Sequence, residues 1–185
     1  MSLLEAVQHI NYELLKELIE ESTDVNADVN EIDKNGFTLL TNAISPDMYT
    51  PSTLNNRYGV SRKDICELLI NNGANINEKS KVPYMWEDKG REITSIMSPL
   101  EYACYRNNTD IVELLINKGA KMEDYPLFRA IKHKNKKICT LLIENGANIN
   151  SLHPAYHTTP LKYAIIREAE KEICELLIQK GAKYN

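Results

Sequence analysis

A thirteen-residue pattern occurs four times in this chain, and it constrains the fold more than any other feature. One copy reads I-C-T-L-L-I-E-N-G-A-N-I-N, and the four copies occupy residues 65–77, 111–123, 138–150 and 173–185. In each copy, apolar residues at helical spacing end at a glycine, which closes a helix in a left-handed conformation without a Cβ clash. The sequence therefore predicts four helices of one kind, which end at Gly73, Gly119, Gly146 and Gly181.

A second motif lies upstream of each glycine. Its copies occupy residues 38–43, 98–103, 125–130 and 159–164, and each contains Leu followed three residues later by Ala. Thr or Ser before the Leu caps a helix, Pro fits the first helical turn, and Leu and Ala share one apolar face. Each unit is thus a helix, a short turn, a second helix and a glycine.

Together the two motifs resemble the ankyrin repeat, T-P-L-H-x-A followed by L-L-x-x-G-A-x-x-N at a period of about 33 residues. The resemblance implies an all-α fold, an ankyrin-repeat solenoid of stacked helix-turn-helix units with short or irregular β-hairpin fingers. It also implies a concave face that binds other proteins. We expect a single domain over residues 1–185, with repeats at 2–33 (a capping repeat), 34–77, 93–123, 124–150 and 157–185.

Two insertions interrupt the period. Residues 45–60 separate the helices of the second repeat, and loops of this length are usually functional or disordered. Residues 78–94 enlarge the next finger and contain Tyr84 and the sole tryptophan, Trp86, in a polar setting typical of an interface hot spot. Alternatively, Trp86 covers a small core within the insertion. Phe37, after a predicted turn, is either a further contact or packs on a neighbouring finger.

The family frame also predicts which residues face the groove at the end of each first helix. These are Tyr105 and Arg106, Lys132 and His133, and Ile166 and Arg167. A cation recurs in three neighbouring units, which favours a partner protein with an acidic surface. Alternatively, the charges only keep the surface solvated. Tyr156, in the last finger, is a further contact candidate.

Composition and missing motifs exclude other classes of function. The chain has 185 residues, is 43% hydrophobic and carries a net charge of −4, with no apolar run of eighteen residues. We expect no catalytic residues, no cofactor, no metal site, no nucleic acid, no membrane and no small-molecule substrate. Cys66, Cys139 and Cys174 occupy a slot that Val112 fills elsewhere, so we predict buried thiols rather than disulfides.

The sequence thus predicts a non-enzymatic scaffold or adaptor that binds a partner protein on its concave face and fingers. We expect a cytoplasmic protein, because the start of the chain does not resemble a signal peptide. One alternative is a structural or regulatory ankyrin segment of a larger protein. Another is a pathogen or viral effector that mimics a host adaptor in the host-cell cytoplasm.

Overall fold

The computed structural model describes residues 2–9, 11–21, 29–45, 60–86, 91–123, 125–153 and 155–184, with only the backbone at 83–86 and 91–94. The chain divides into two compact units, Met1–Tyr102 and Ala103–Asn185. Most of the predicted insertion at 45–60 lies outside the described residues, since only its first and last residues are included. The expected single domain and its repeat boundaries stay predictions.

The described residues of unit 1 before Pro99 form two helix pairs and a β-hairpin. The helices are α1 (Leu3–Gln8), α2 (Tyr12–Glu21), α3 (Leu39–Ile44) and α4 (Arg62–Asn71). The hairpin comprises β1 (Ser80–Trp86) and β2 (Arg91–Met97), which run antiparallel with Ser80 opposite Met97. Helix α1 packs on α2 and α3, and α3 packs on α4. The insertion predicted at 78–94 therefore lies largely within this hairpin.

Unit 2 begins inside α5 (Pro99–Tyr105). The helices that follow are α6 (Thr109–Asn117), α7 (Tyr125–Lys132), α8 (Lys136–Glu144), α9 (Pro160–Ile166) and α10 (Lys171–Gln179). Helices α7 and α8 form one antiparallel pair, and α9 and α10 form the next. First helix packs on first helix and second on second, because α9 contacts α7 and α10 contacts α8. These contacts confirm the predicted fold of stacked helix pairs.

Local chemistry ends the helices where the sequence predicts. The four repeat glycines have positive φ values of 84° to 92°. The alanine after each one donates its N–H to a carbonyl five residues back, as Ala147 does to Leu142 at 3.0 Å. Thr38, Ser98 and Thr159 each accept the backbone N–H three residues later, which confirms the predicted caps.

An asparagine at the end of the repeat pattern forms a hydrogen bond to the next repeat within the same unit. The Oδ1 of Asn30 accepts the N–H of Asn75 at 2.7 Å, and the Oδ1 of Asn150 accepts the N–H of Lys183 at the same distance. Both donors lie two residues after a repeat glycine. The final Asn of the pattern thus supplies a hydrogen bond between neighbouring fingers, because its short side chain accepts a backbone N–H.

The thiols are buried with one exception. Cys66 and Cys139 are free and buried, as predicted, and Cys104 is free and buried as well. Burial raises the pKa of Cys66 and of Cys139 to about 12. Cys174 occupies the same helical slot but is only partly buried. The prediction of a buried thiol is therefore wrong for Cys174, since the matching side of α10 is partly exposed to solvent.

Candidate functional site

The first predicted contact, Phe37, lies in the core of unit 1. Its side chain is only 5% exposed, and its N–H donates to the Oδ1 of Asp33 at 2.9 Å. The turn at 33–36 is present, with the N–H of Gly36 donating to the Asp33 carbonyl. Phe37 therefore corresponds to the packing alternative, because a buried ring offers little surface to a partner.

Tyr84 and Trp86 belong to β1, but their side chains lie outside the described residues. The backbone pairs Tyr84 with Ile93 and Trp86 with Arg91. The base of the hairpin is anchored, because the Oγ of Ser80 lies 2.8 Å from the Oγ1 of Thr41 and accepts the Thr38 N–H. The strand that carries the two aromatic residues is thus hydrogen-bonded to α3 at its base. The contact of these residues with a partner stays a prediction.

Most of the other candidates lie at the ends of the first helices of unit 2. The Nε2 of His133 lies 2.8 Å from the carbonyl oxygen of Tyr105, which joins the end of α7 to the end of α5. The guanidinium of Arg129 lies 5.6 Å from the centroid of the Tyr105 ring, a distance typical of a cation–π contact. Arg106, next to Tyr105, is partly exposed.

A ring cluster centred on His153 lies beside these residues. The His153 ring stacks on Tyr163, with centroids 5.3 Å apart and an interplanar angle of 12°. It meets Phe128 edge-on at 4.9 Å and lies 4.7 Å from Tyr156. The cluster therefore joins the finger before α9 to both α7 and α9, and the repeat motifs did not predict it.

Cations border this cluster. The guanidinium of Arg167 lies 5.3 Å from the Tyr163 ring centroid and 5.8 Å from that of Tyr156. Burial raises the pKa of Tyr163, while the charges of Arg167 and Lys132 act in the opposite direction. Arg167 is thus held against two phenol rings, which leaves its side chain less conformational freedom to lose when a partner binds.

The electrostatics of the cluster favour neutral His153. Burial, then the positive charges of Arg129 and Arg167, lower the pKa of His153 below its ordinary value. Its Nδ1 accepts the backbone N–H of Ala155 at 3.2 Å and that of Tyr156 at 3.4 Å. We infer that neutral His153 carries its proton on Nε2, since Nδ1 acts as an acceptor.

Within the described residues, no group of three His, Cys, Asp or Glu side chains is arranged to hold a metal ion. His157, also in this finger, has a positive φ of 49° and donates its N–H to the carbonyl of His153. His157 thus has a role in the turn, where the ankyrin family has a glycine.

No described helix is long and apolar enough to cross a membrane.

Exposed apolar residues lie among the cations at the ends of the first helices of unit 2. Ile166 is 60% exposed, and Tyr156 is also exposed. We use the name cation–aromatic surface for Tyr105, Arg106, Arg129, Lys132, His133, Tyr156, Ile166 and Arg167. Arginine beside tyrosine is a common composition of interface hot spots, because both bury large areas and donate directed hydrogen bonds.

Comparison with known proteins agrees with the fold. The sequence pattern of ankyrin repeats (3 copies) matches residues 56–153 and 100–185. The chain is similar to the ankyrin repeat protein FPV014 of fowlpox virus (strain NVSL), with 33% identity over 121 residues, 61% of this chain and 25% of that protein. It is also similar to the ankyrin repeat protein FPV244 of the same virus, with 30% identity over 123 residues, 55% of this chain and 18% of that protein.

The chain spans about a quarter or less of the length of these two relatives. The family pattern, in contrast, covers well over half of the chain. The paired helices and positive-φ glycines are the structural counterparts of that pattern. The chain belongs to the ankyrin repeat family.

Proposed function

We propose that this chain binds an acidic partner protein through the cation–aromatic surface of unit 2. Ankyrin repeats are in general protein-binding modules rather than enzymes. The observation that carries the proposal is the position of Arg129 and Arg167 against tyrosine rings, with Lys132 and His133 nearby. This arrangement supports binding of carboxylate groups, because guanidinium groups donate paired hydrogen bonds to them.

Binding would combine charge attraction with burial of apolar surface. The cations would steer an acidic partner and fix its orientation, while Tyr156 and Ile166 would lose water on contact. The rings that border Arg167 support this mechanism, since a side chain held in place loses less entropy on binding. We therefore expect affinity to fall as salt concentration rises.

Charge reversal tests the proposal. Tagged wild-type chain and the variants Arg167→Glu and Lys132→Glu are used to capture proteins from a cell lysate, and captured proteins are identified by mass spectrometry. Lys136→Glu is the matched control, because Lys136 is an exposed lysine at the start of the second helix α8. We expect a protein held by wild type and Lys136→Glu to be lost with both test variants.

The captured protein is then titrated with each variant at two salt concentrations. Each test variant should raise Kd by about tenfold or more, an effect of about 1.4 kcal/mol. Equal affinity of all four chains, or binding that does not depend on salt, would count against the cation–aromatic surface. Circular dichroism melting checks that the variants are folded.

Trp86 and Tyr84 are proposed as a second, independent region of contact in unit 1. If Trp86 is a hot spot, Trp86→Ala weakens binding of the same partner by about 2 kcal/mol or more. Ile96→Ala is a suitable control, because Ile96 is a highly exposed apolar residue of β2. Equal effects of the two substitutions would assign the hairpin a structural role only.

A second candidate function follows from the relatives. Both are viral proteins, and this chain matches only a part of each. This favours the alternatives of a regulatory ankyrin segment or of an effector that binds a protein of an infected host cell. Capture from a host-cell lysate tests the effector alternative, because an effector binds a partner protein of the host cell.

A further inference from the structure

The finger before α3 and the finger before α9 each close at a polar residue in the same place of the repeat. Asp33 and His153 both lie three residues after an asparagine that accepts an N–H from the next repeat. The N–H of Asp33 donates to the carbonyl of Phe37 at 2.9 Å, and the N–H of His153 donates to the carbonyl of Thr158 at the same distance. His153 thus occupies in its finger the place that Asp33 occupies in the other.

The side chains of these two residues hold the turns with different acceptors. The Oδ1 of Asp33 accepts the N–H of Asn35 at 2.8 Å. In the same way, the Nδ1 of His153 accepts the N–H of Ala155 at 3.2 Å, and it also accepts that of Tyr156 at 3.4 Å. A protonated imidazole has no acceptor, because both ring nitrogens then carry a proton, whereas a carboxyl group retains one. Protonation of His153 would therefore remove both hydrogen bonds from its turn.

The charged groups around His153 oppose a positive charge on its ring. Partial burial, and then the positive charges of Arg129 in α7 and of Arg167 at the end of α9, lower its pKa. Lys132 of α7 is a third cation, which acts on the Tyr163 ring that His153 stacks on. The Tyr163 ring, whose face attracts cations, already lies 5.3 Å from the Arg167 guanidinium. Three phenols and a second histidine also lie beside His153, namely Tyr125, Tyr156, Tyr163 and His157.

The finger that His153 holds also carries part of the cation–aromatic surface. The Tyr156 ring lies 4.7 Å from the His153 ring and 5.8 Å from the Arg167 guanidinium. The backbone N–H of Tyr156 is one of the two that Nδ1 accepts. Opening of the finger would therefore displace one of the two rings beside Arg167, and this side chain would lose part of its preorganisation.

We propose that the finger at 151–158 is a pH-sensitive element, which is closed while His153 is neutral and opens when His153 is protonated. We call its described residues, 151–153 and 155–158, the His153 finger. Below the ordinary histidine value of about pH 6.5, the open finger binds a proton more readily than the closed one, so acid favours opening. Opening would weaken partner binding by displacing Tyr156, a consequence that rests on the function proposed above. The opening itself does not depend on that function.

Amide hydrogen exchange, measured by NMR spectroscopy, tests the opening without any partner. The quantity measured is the protection factor of the Ala155 and Tyr156 amides, relative to the exchange of an unstructured chain at the same pH. We expect this protection to fall by about fivefold or more between pH 7.5 and pH 5. The Asn35 amide, in the finger before α3, is the internal control and should keep its protection. Constant protection of Ala155 and Tyr156 would overturn the proposal.

The variants His153→Asn and His153→Phe separate the acceptor from the ring. Asparagine does not titrate and retains an acceptor for the N–H two residues later, as Asn75 does for Asn77 at 3.1 Å. Phenylalanine retains a ring without an acceptor. We expect protection of the Ala155 amide to be independent of pH in His153→Asn and low at both pH values in His153→Phe. A pH-dependent His153→Asn or a well-protected His153→Phe would overturn the proposal, because Nδ1 would then not hold the finger closed.

Titration of the captured partner at pH 7.5 and pH 5 tests the consequence for binding. Between these pH values, wild type should lose about threefold more affinity than His153→Asn, because fewer wild-type chains then have a closed finger. Titration of the partner's own groups affects both chains alike. Equal losses, with binding still abolished by Arg167→Glu, would overturn the control of binding by the His153 finger. Binding that tolerates Arg167→Glu would instead overturn the proposed function and leave the exchange result unchanged.

Discussion

The α7/α8 and α9/α10 pairs carry the same two sequence motifs and adopt the same local structure. Each second helix is followed, two residues after its end, by a glycine with φ near 90°, and both pairs turn through a residue with φ near 50°. Their apolar residues nevertheless differ in exposure, as Ile131 and Ile165 demonstrate. The motif thus determines the helix pair, whereas the neighbouring pair determines which of its positions become core.

The largest expected effect distinguishes the two environments directly. Ile131→Ala should lower the free energy of unfolding by about 3 kcal/mol, because it leaves a cavity in a packed core. Ile165→Ala removes the same atoms from a half-exposed site and should cost less than about 1 kcal/mol. Urea unfolding measures both. Similar losses at the two positions would mean that α9 is as well packed as α7.

Thiol reactivity measures independently how the two helix pairs differ in solvent exposure. Cys174 should react with a maleimide on the order of a hundredfold faster than Cys139, because Cys139 is buried and its pKa is raised to about 12. Peptide mass mapping after a short pulse measures both rates. In urea the two thiols should react alike.

Much of the fold was predictable because its determinants are local. The glycine that ends a helix and the Thr or Ser that starts one act within a few residues, as at Gly146 and Thr159. The stacking of pairs follows from repetition, since each unit buries its apolar residues against the next. Cys174 was the exception, because its burial depends on a neighbouring pair rather than on its own helix.

The candidate site was only partly predictable. The family frame predicted Lys132, His133 and Arg167 as contacts, which stays a prediction, and it did not predict the ring cluster around His153. His153, Phe128 and Tyr163 belong to a finger and two different helices, so their contact depends on tertiary structure. The available signal was weak, because Phe128 and Tyr163 lie at adjacent rather than matching positions of the two aligned first helices. Phe37 carried no such signal, because an aromatic residue after a turn can face either solvent or core.

The contact between the two pairs through His153 should make stability depend on pH. Its pKa is lowered in the folded chain, so the unfolded chain binds more protons below the ordinary histidine value of about 6.5. The stability present above that value is therefore lost as pH falls through the lowered pKa. Because His153 is only partly buried, the effect on melting temperature should be modest, roughly 2 °C.

The variant His153→Phe isolates this contribution from the other histidines. Phenylalanine retains a ring beside Tyr163 but does not titrate and loses the Nδ1 acceptor of the finger. We expect the melting temperature of the variant to change less than that of wild type between pH 7.5 and pH 5. Parallel pH profiles for the two proteins would contradict this role of His153 in joining the pairs.

The smallest expected effect concerns a feature that the two pairs share. Lys134 and Glu168 occupy the turns of the two pairs with φ of 55° and 51°, a conformation that costs most non-glycine residues energy. Asn107 has the same conformation in the preceding turn, and asparagine tolerates it better. Lys134→Asn and Glu168→Asn should each stabilise the chain by about 0.5 kcal/mol, whereas the control Lys136→Asn should not. Urea unfolding should give equal gains for Lys134→Asn and Glu168→Asn, because the strain of a turn depends on its own residues, whereas burial depends on the neighbouring pair. Unequal gains would mean that the neighbouring pair also influences the conformational energy of the positive-φ residue.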